Sequence, residues 1–534
     1  MCGIALIVGP DADSTLFRQM LGTMAGRGEV EETLCDDGVL AGTQRLRIVD
    51  RDRAVQPWQS ADGRWLLCYN GELFNYRQLR ADLISRGREF RSESDTEVVL
   101  EAFIEWGARA VGRFRGEFAF AIVDRLSSRT YLARDPVGVK PLYWAVRGSK
   151  LHVASELKAM VPLGSPVAEV APGHHGWAPA GGNAPTFIPY VDLLRLGAGQ
   201  TIIDDPDEAA KRLRIALEDS IRVRVDTDLT VGVILSGGLD SSLVLLHVRE
   251  AHPDCVALTI GAPGSEDLRY ARRLTADLGV RHELVSMRTG DIKANDVREA
   301  IRMSELTEYG DIINAIVSVP LFARARELGI KVVLTGDGSD ELFGGYPMYD
   351  QIEAGSSRRL FLHKIRNLHR TELQRVDRVS MGQGVEARVP FLDLSLVELA
   401  MRLPVSLKIR DGHEKWIVRQ AFRDMLPTYI FDRPKNPMSH SSGLHERARL
   451  YRPLFARMHR SFGYDVFDPI RRDFSVLLDR YKYDLDRAVA ASQATQDYNT
   501  LEHARDLVGA LRWNAVNGLR RRTVPIGSHA SMRY

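Results

Sequence analysis

The chain begins Met1-Cys2-Gly3-Ile4, with a thiol in second place. Removal of Met1, usual ahead of small residues, leaves Cys2 with both its thiol and the free α-amino group. Such an amine can serve as the base for its own side-chain nucleophile. Read locally, the commoner state of Cys2 is a small buried hydrophobe opening a strand. A lipid-bearing cysteine follows a long apolar leader, and none precedes this one.

A second chemistry stands further along. Val231-Gly232-Val233-Ile234-Leu235 runs into Ser236-Gly237-Gly238-Leu239-Asp240-Ser241-Ser242, after which a helical pattern begins. Glycines let backbone N–H groups close on an anion, and a helix N-terminus adds partial positive charge and unpaired donors. No lysine precedes the serines, so the stretch is not a Walker A loop. Asp240 would repel phosphate unless a metal ion stood between them. The same design recurs at Gly336-Asp337-Gly338-Ser339-Asp340-Glu341. Each turn alone could be a strand-to-helix turn with ordinary caps. Two at one sheet edge would bring Asp240 and Asp340 together on Mg²⁺ beside a nucleotide.

The rest of the chain limits what these groups serve. Its 534 residues suggest two to four domains, each able to bury a core. Lys and Arg total 72 against 70 acidic residues, a net charge of +2. That balance argues against nucleic acid or an anionic membrane as the main partner, and Arg520, Arg521 and Arg522 read as a solvated tail. The four cysteines Cys2, Cys35, Cys68 and Cys255 lack metal-knuckle or CxxC spacing, as in a reducing compartment. No apolar run approaches the roughly 20 residues of a membrane span. A cytoplasmic location is therefore expected.

The elements that must position these residues fall into two rhythms. From residue 3 to about 160, GIALIVG, LAGTQRLRIVD, RWLLCYNGELFN, GEFAFAIVDR, RTYLARD and KPLYWAV read as strands between turn residues, and YRQLRADLISRG and DTEVVLEAFIEWG as amphipathic helices. This predicts an α+β domain rich in antiparallel strands. Residues 161–205, with PGHHGWAPAGGNAP, break the rhythm, and the domain junction is expected near their end. Asp205 or Asp207 can cap a helix whose apolar face uses Ala209, Leu213, Ala216, Leu217 and Ile221. Strands and helices then alternate, as in a parallel sheet with ligands at the carboxyl ends of its strands. Beyond about residue 355 the pattern is mainly helical.

SGGLDSS resembles the pyrophosphate-binding loop of the N-type ATP pyrophosphatases. With MCGI, RLRIVD, NGELFN, SDTEVV, RDPVGVKPLYW, ASELKAM, TGDGSDELFGGY and GVEARVPFLD in the same order, the chain resembles the glutamine-hydrolysing asparagine synthetase family over nearly its whole length. The resemblance implies an α+β N-terminal nucleophile glutaminase domain over 1–205. An α/β parallel-sheet ATP-pyrophosphatase domain with a helical C-terminal part follows over 206–534. By the same resemblance, the Cys2 thiolate attacks glutamine, and Asn70 and the Gly71 N–H form the oxyanion hole. Arg45, Asn70, Glu72 and Asp95 would hold the glutamine, Arg45 through its α-carboxylate and the two acids through its α-ammonium. ATP would meet Leu235, Ser236, Gly237, Gly238, Asp240, Ser241, Ile260, Thr335 and Gly336, with Asp240 and Asp340 on Mg²⁺. Lys435 matches the lysine that neutralises the transferring phosphoryl group, and Asp337 stands where many relatives have a glutamate proposed as base. Ammonia would pass through an internal tunnel to an acyl-adenylate, with Glu386 and Arg388 lining the channel. Relatives are often homodimers.

Two stretches depart from the family pattern. Where many relatives carry RHRGPD this chain has Gly26-Arg27-Gly28-Glu29-Val30, which bears on coupling between the two reactions. Where asparagine synthetases commonly show paired hydroxyl residues after an acid, it reads Glu308-Tyr309-Gly310-Asp311-Ile312-Ile313-Asn314. A site built to hydrogen-bond a polar substrate is sharply altered by apolar replacements. The acceptor is therefore either aspartate or another carboxylate, such as a peptide, a sugar acid or a biosynthetic intermediate. A lactam-forming synthetase is disfavoured by Cys2 together with Arg45, Asn70 and Asp95.

Overall fold

A computed structural model describes residues 1–493 except positions 37, 165, 194, 198, 353, 437–443, 445–447, 449, 467–470 and 472. The arginines at 520–522 lie outside the described residues.

The first half contains, in chain order, β1 (Cys2–Val8), α1 (Ser14–Gly22), β2 (Val30–Asp36), β3 (Val39–Arg45), β4 (Trp58–Gln59), β5 (Trp65–Leu73), α2 (Tyr76–Ser85) and α3 (Asp95–Trp106). It continues with β6 (Gly116–Asp124), β7 (Arg129–Arg134), β8 (Tyr143–Arg147), β9 (Lys150–Ala154), α4 (Leu157–Met160), β10 (Ala168–Glu169), β11 (His174–Ala178) and β12 (Thr186–Pro189). The strands pair antiparallel in sheets ordered β10-β8-β9-β1-β3-β2 and β12-β11-β7-β6-β5-β4.

Side-chain alternation sorts each strand between two cores. On β1, Ile4, Leu6 and Val8 enter the core between the sheets, while Ala5 and Ile7 meet Phe17, Met20 and Leu21 of α1. On β5, Leu66 and Cys68 face that inter-sheet core, while Leu67, Tyr69 and Leu73 pack with Leu79 and Leu83 of α2 and Val98 and Phe103 of α3. The layers run helix, sheet, sheet, helix, the N-terminal nucleophile fold. The same parity sends Cys2, Asn70 and Glu72 toward one interior.

Two regions differ from the sequence reading. The stretch 161–205 does not wholly break the rhythm, because it adds β11 and β12 to the second sheet. Gly176 explains why it reads as a loop: it lies so close to the Thr186 backbone that any Cβ would collide. Strand β2 is also unforeseen. It is an edge strand whose burial alternates, so Glu and Thr fill half of it and mask the pattern.

The second half opens with α5 (Pro206–Arg224), capped by Asp205, which accepts from the Glu208 N–H at 2.7 Å. Then come β13 (Val231–Ile234), α6 (Leu239–Ala251), β14 (Val256–Gly261), α7 (Glu266–Leu278), β15 (Arg281–Ser286), α8 (Ala294–Ser304), α9 (Tyr309–Glu327) and β16 (Val332–Leu334). They are followed by α10 (Ser339–Phe343), α11 (Met348–Gln351), α12 (Ala354–Asn367), α13 (Glu372–Met381) and β17 (Glu386–Arg388). The strands form a parallel sheet ordered β15-β14-β13-β16-β17. From β13 the chain builds outward through β14 and β15, then returns to place β16 on the other side of β13. The order reverses between β13 and β16, and the crevice at such a switch point is where open α/β sheets bind ligands. The two glycine turns of the sequence follow these two strands.

The halves meet across buried charge. Arg27 spans from Glu156 at 2.7 Å to Asp377 of α13 at 2.8 Å. Lys140 approaches the same Asp377 at 3.4 Å, and Arg224 bonds Glu117 at 3.1 Å. Gly26 approaches Gly382 so closely that a Cβ would sit 2.6 Å from its carbonyl oxygen.

Candidate active sites

Cys2 opens β1 on the inter-sheet face and is 4% exposed. Burial pushes its thiol pKa up, opposed by the chain's terminal ammonium, the Leu46 N–H, Arg45 and Arg27. The thiol is therefore protonated at rest and needs a base at the moment of attack. The structure carries Met1 ahead of it, whose ammonium pairs with Glu386 at 3.1 Å. In this form the Cys2 nitrogen is a peptide N–H that donates to Asn70 Oδ1 at 3.1 Å. Asn70 Nδ2 is buried with no hydrogen-bond partner, an unspent donor beside the thiol.

A cleft is lined by Met1, Cys2, Arg45, Gly71, Glu72 and Asp95, which brings together Arg45, Glu72 and Asp95 of the residues expected to hold glutamine, while Asn70 is not among its lining residues and meets Cys2 through its Oδ1. Arg45 is fixed from behind by Glu32 at 2.9 Å. Asp95 accepts from the Tyr69 hydroxyl at 2.9 Å and the Leu73 N–H at 3.0 Å. Glu72 lies 3.5 Å from Arg388, yet burial, with Asp95 and Glu386 nearby, holds its pKa up at about 8. Two buried acids short of compensation suit a ligand ammonium. Sequence reasoning missed Gln56, whose amide lies 3.7 Å from Cys2 Sγ and accepts from the Tyr69 N–H. It also missed the task of Arg27, which donates to the Cys2 carbonyl at 3.0 Å. No local pattern marks either residue.

At the other centre the two glycine turns touch. A Cβ on Gly336 would lie 2.9 Å from Asp240 Cβ and 3.1 Å from the Ser241 nitrogen, so only glycine lets them close. Gly237 takes φ +68°, and Ser236 and Ser241 share hydroxyls at 3.1 Å. Gly238 caps α6 in an extended conformation. Leu235, Ile260 and Thr335 sit buried at or near strand ends on the same crevice, and the Leu235 N–H bonds the Leu258 carbonyl at 2.9 Å. Asp240 accepts from Ser339 at 2.7 Å and from Lys415 at 2.5 Å, and Lys415 reaches Asp340 at 2.6 Å. Lys435 pairs with the other Asp340 oxygen at 2.6 Å. Burial alone would raise the Asp340 pKa, but Lys415 and Lys435 hold the carboxyl far below its usual range. Asp337 stands apart from these contacts, ion-paired to Arg375 of α13 at 2.5 Å.

Lys415 is the residue the sequence reading missed. It is buried, takes a left-handed φ of 55° and opens the short helix Trp416–Ala421. Nothing in DGHEKWIV separates it from a surface lysine. Asp240 and Asp340 converge on one point charge, which is the geometry a hard cation needs. Among the described residues no group of three or more His, Cys, Asp and Glu side chains is placed to hold a metal. Two carboxylates completed by phosphate oxygens and water is the usual manner of Mg²⁺. The donor set thus fits Mg²⁺ brought with a nucleotide.

A thiol-centred glutaminase cleft and a phosphate crevice on one chain define a glutamine amidotransferase joined to an ATP-using ligase. The glutamine amidotransferase domain family matches residues 1–174, and the asparagine synthase family matches 212–359 and 353–469. Asparagine synthetase B of Escherichia coli is 32% identical over 76% of this chain and 75% of its own. A rice asparagine synthetase is 32% identical over 89% of this chain and 84% of its own. A putative asparagine synthetase of Methanocaldococcus jannaschii is 31% identical over 78% and 84%. The chain belongs to the glutamine-hydrolysing asparagine synthetase family and is an ATP-dependent, glutamine-hydrolysing ligase. Among the described residues no helix is long and apolar enough to cross a membrane.

Proposed function

We propose that this enzyme amidates a carboxylate through an acyl-adenylate, in its simplest form converting aspartate to asparagine, as the names of its relatives state for them. The division into 1–205 and 206–534, Mg²⁺ at Asp240 and Asp340, and a homodimer belong to the same reading. The observation that carries it is the convergence of Asp240, Asp340, Lys415 and Lys435 on one crevice.

With Met1 removed, the Cys2 amine takes the thiol proton as sulfur adds to the glutamine side-chain carbonyl. The resulting oxyanion sits between Asn70 Nδ2 and the Gly71 N–H. Collapse expels ammonia and leaves a thioester, which water hydrolyses to glutamate. In the crevice, the acceptor carboxylate displaces pyrophosphate from the α-phosphorus of ATP, and Lys435 and Lys415 neutralise charge on the phosphoryl oxygens. Bound Mg²⁺ would supply further charge neutralisation at the phosphates. Ammonia then adds to the acyl carbon, AMP leaves, and a proton passes to Asp337. Ammonia crosses between the sites inside the protein, where Glu386 and Arg388 of β17 lie between the Glu72 cleft and the nucleotide crevice: Arg388 meets Glu72, and its carbonyl accepts from the Thr335 N–H at 3.1 Å.

Pyrophosphate release, measured with ATP, Mg²⁺, glutamine or ammonia, and a panel of carboxylates, tests this reading. Release that depends on a carboxylate is expected, and none with any carboxylate would overturn it. A second acceptor class is favoured by one observation. Ile312 and Ile313, which replace the family's hydroxyl residues, are fully buried core residues of α9, so the specificity difference falls instead on Asp311 beside them.

A further inference from the structure

Helix α9 begins at Tyr309 and runs to Glu327. Its Ser318 lies 3.4 Å from Arg375, the residue that holds Asp337. Asp311 stands two turns earlier, on the same face by helical spacing. The charges around it come from several elements: Glu308 just before α9, Lys364 on α12, Glu372 and Arg375 on α13 and Asp473 ahead of the helix Phe474–Arg480.

Most of these charges are spent on one another. Lys364 pairs with Glu372 at 3.4 Å, and Arg375 pairs with Asp337. Asp473 accepts from the Gly310 N–H at 2.6 Å and faces Arg452 at 3.7 Å. Glu341 takes the Tyr346 hydroxyl at 2.5 Å. Asp311 has no such partner. Among the described residues its side chain makes no hydrogen bond or ion pair although it is only 9% exposed, and the Glu308 carboxylate beside it is likewise without one there. A buried carboxylate left unpaired is costly, and a native fold keeps one when a ligand completes it.

We infer that the acceptor carries, besides the carboxylate to be amidated, an ammonium or guanidinium group that docks on Asp311 with Glu308 at its side. This rests on the amidation reading and narrows it: aspartate and other amino-bearing acids qualify, while sugar acids and plain dicarboxylates do not. The isoleucines that replace the family's hydroxyl residues then serve the core, and specificity has passed to Asp311.

The test is pyrophosphate release by the full chain with ATP, Mg²⁺ and ammonia, using acceptor pairs that differ only in the cation. Aspartate is set against succinate, and ω-amino and ω-guanidino acids against their uncharged counterparts. The cationic member of at least one pair is expected to show a KM lower by roughly 100-fold, as for a buried charge finding its partner. Asp311→Asn should close that gap by raising KM for the cationic member with little change in kcat, Asp311→Glu should restore part of it, and Glu308→Gln should narrow it. Glutamine hydrolysis at Cys2 reports that each variant is folded. Equal use of charged and uncharged members by the wild type, or a gap that survives Asp311→Asn in folded protein, overturns the subsite. Absence of release with every acceptor instead removes the amidation reading itself.

Discussion

At the scale of single residues, the cleft around Cys2 holds a donor and buried charges left short of partners. Asn70 Nδ2 has no partner in the resting enzyme, so it costs nothing to turn toward an oxyanion. Asn70→Ala is expected to lower kcat for glutamine hydrolysis by roughly 100- to 1000-fold while ammonia-driven pyrophosphate release stays unchanged. Loss of both activities would place Asn70 in the fold and not in the chemistry. Glu72 gives a pH signature. Burial holds its pKa at about 8, with Asp95 and Glu386 raising it further and Arg388 and the chain's terminal ammonium opposing. A glutamine ammonium prefers the ionised form, so binding below that pH must release a proton. The KM for glutamine should therefore fall as pH rises from about 6 to about 8, by up to tenfold per unit. Glu72→Gln should raise KM and flatten the dependence, which initial rates across that range would show. At the other centre, Lys415→Met should lower pyrophosphate release by at least about 100-fold with either nitrogen source, since the lysine faces both Asp240 and Asp340.

At the scale of elements, helix α13 touches both reactions. Its Asp377 holds Arg27, which holds the Cys2 carbonyl, and its Arg375 holds Asp337 in the crevice. Two residues half a turn apart on one helix thus connect the backbone behind the nucleophile to the candidate base. Asp377→Asn leaves Arg27 short of a buried partner, which is strongly unfavourable. The expected result is uncoupling: glutamate formed per amide product rises severalfold, while synthesis from ammonia persists. Product ratios from glutamine-fed reactions measure this, and a ratio that stays at one would show that α13 only packs. The altered Gly26–Val30 loop fits the same contact. Gly26 lies against Gly382 at the end of α13, where any side chain would strike the backbone, and Glu29 reaches Lys331 at 2.6 Å.

At the scale of the whole molecule, a buried, charged seam lies between the two clefts. Arg388 is 1% exposed and lies between Glu386, Glu72 and Thr335, which follows β16. Retained Met1 puts a fixed cation into the glutamine end of that seam, on Glu386. Protein that keeps Met1, or carries extra residues before Cys2, should lose glutamine hydrolysis and keep ammonia-driven synthesis. Intact mass together with both assays checks this, and glutamine hydrolysis by the unprocessed form would remove the role of the Cys2 amine.

The sequence by itself determined the chemistry-bearing stretches and their local frames. The motifs MCGI and NGELFN marked Cys2, Asn70 and Glu72, and the glycine turns after β13 and β16 marked a phosphate crevice. Such features are local, because side-chain direction and turn conformation follow from a few neighbouring residues. Tertiary structure alone decided the partners that come from afar: Lys415 between Asp240 and Asp340, Arg27 between Cys2 and Asp377, and the isolation of Asp311. A lysine or an aspartate carries no mark of its partner in its own segment. Its ionisation and its task are set by burial and by the charges that folding brings within a few ångströms.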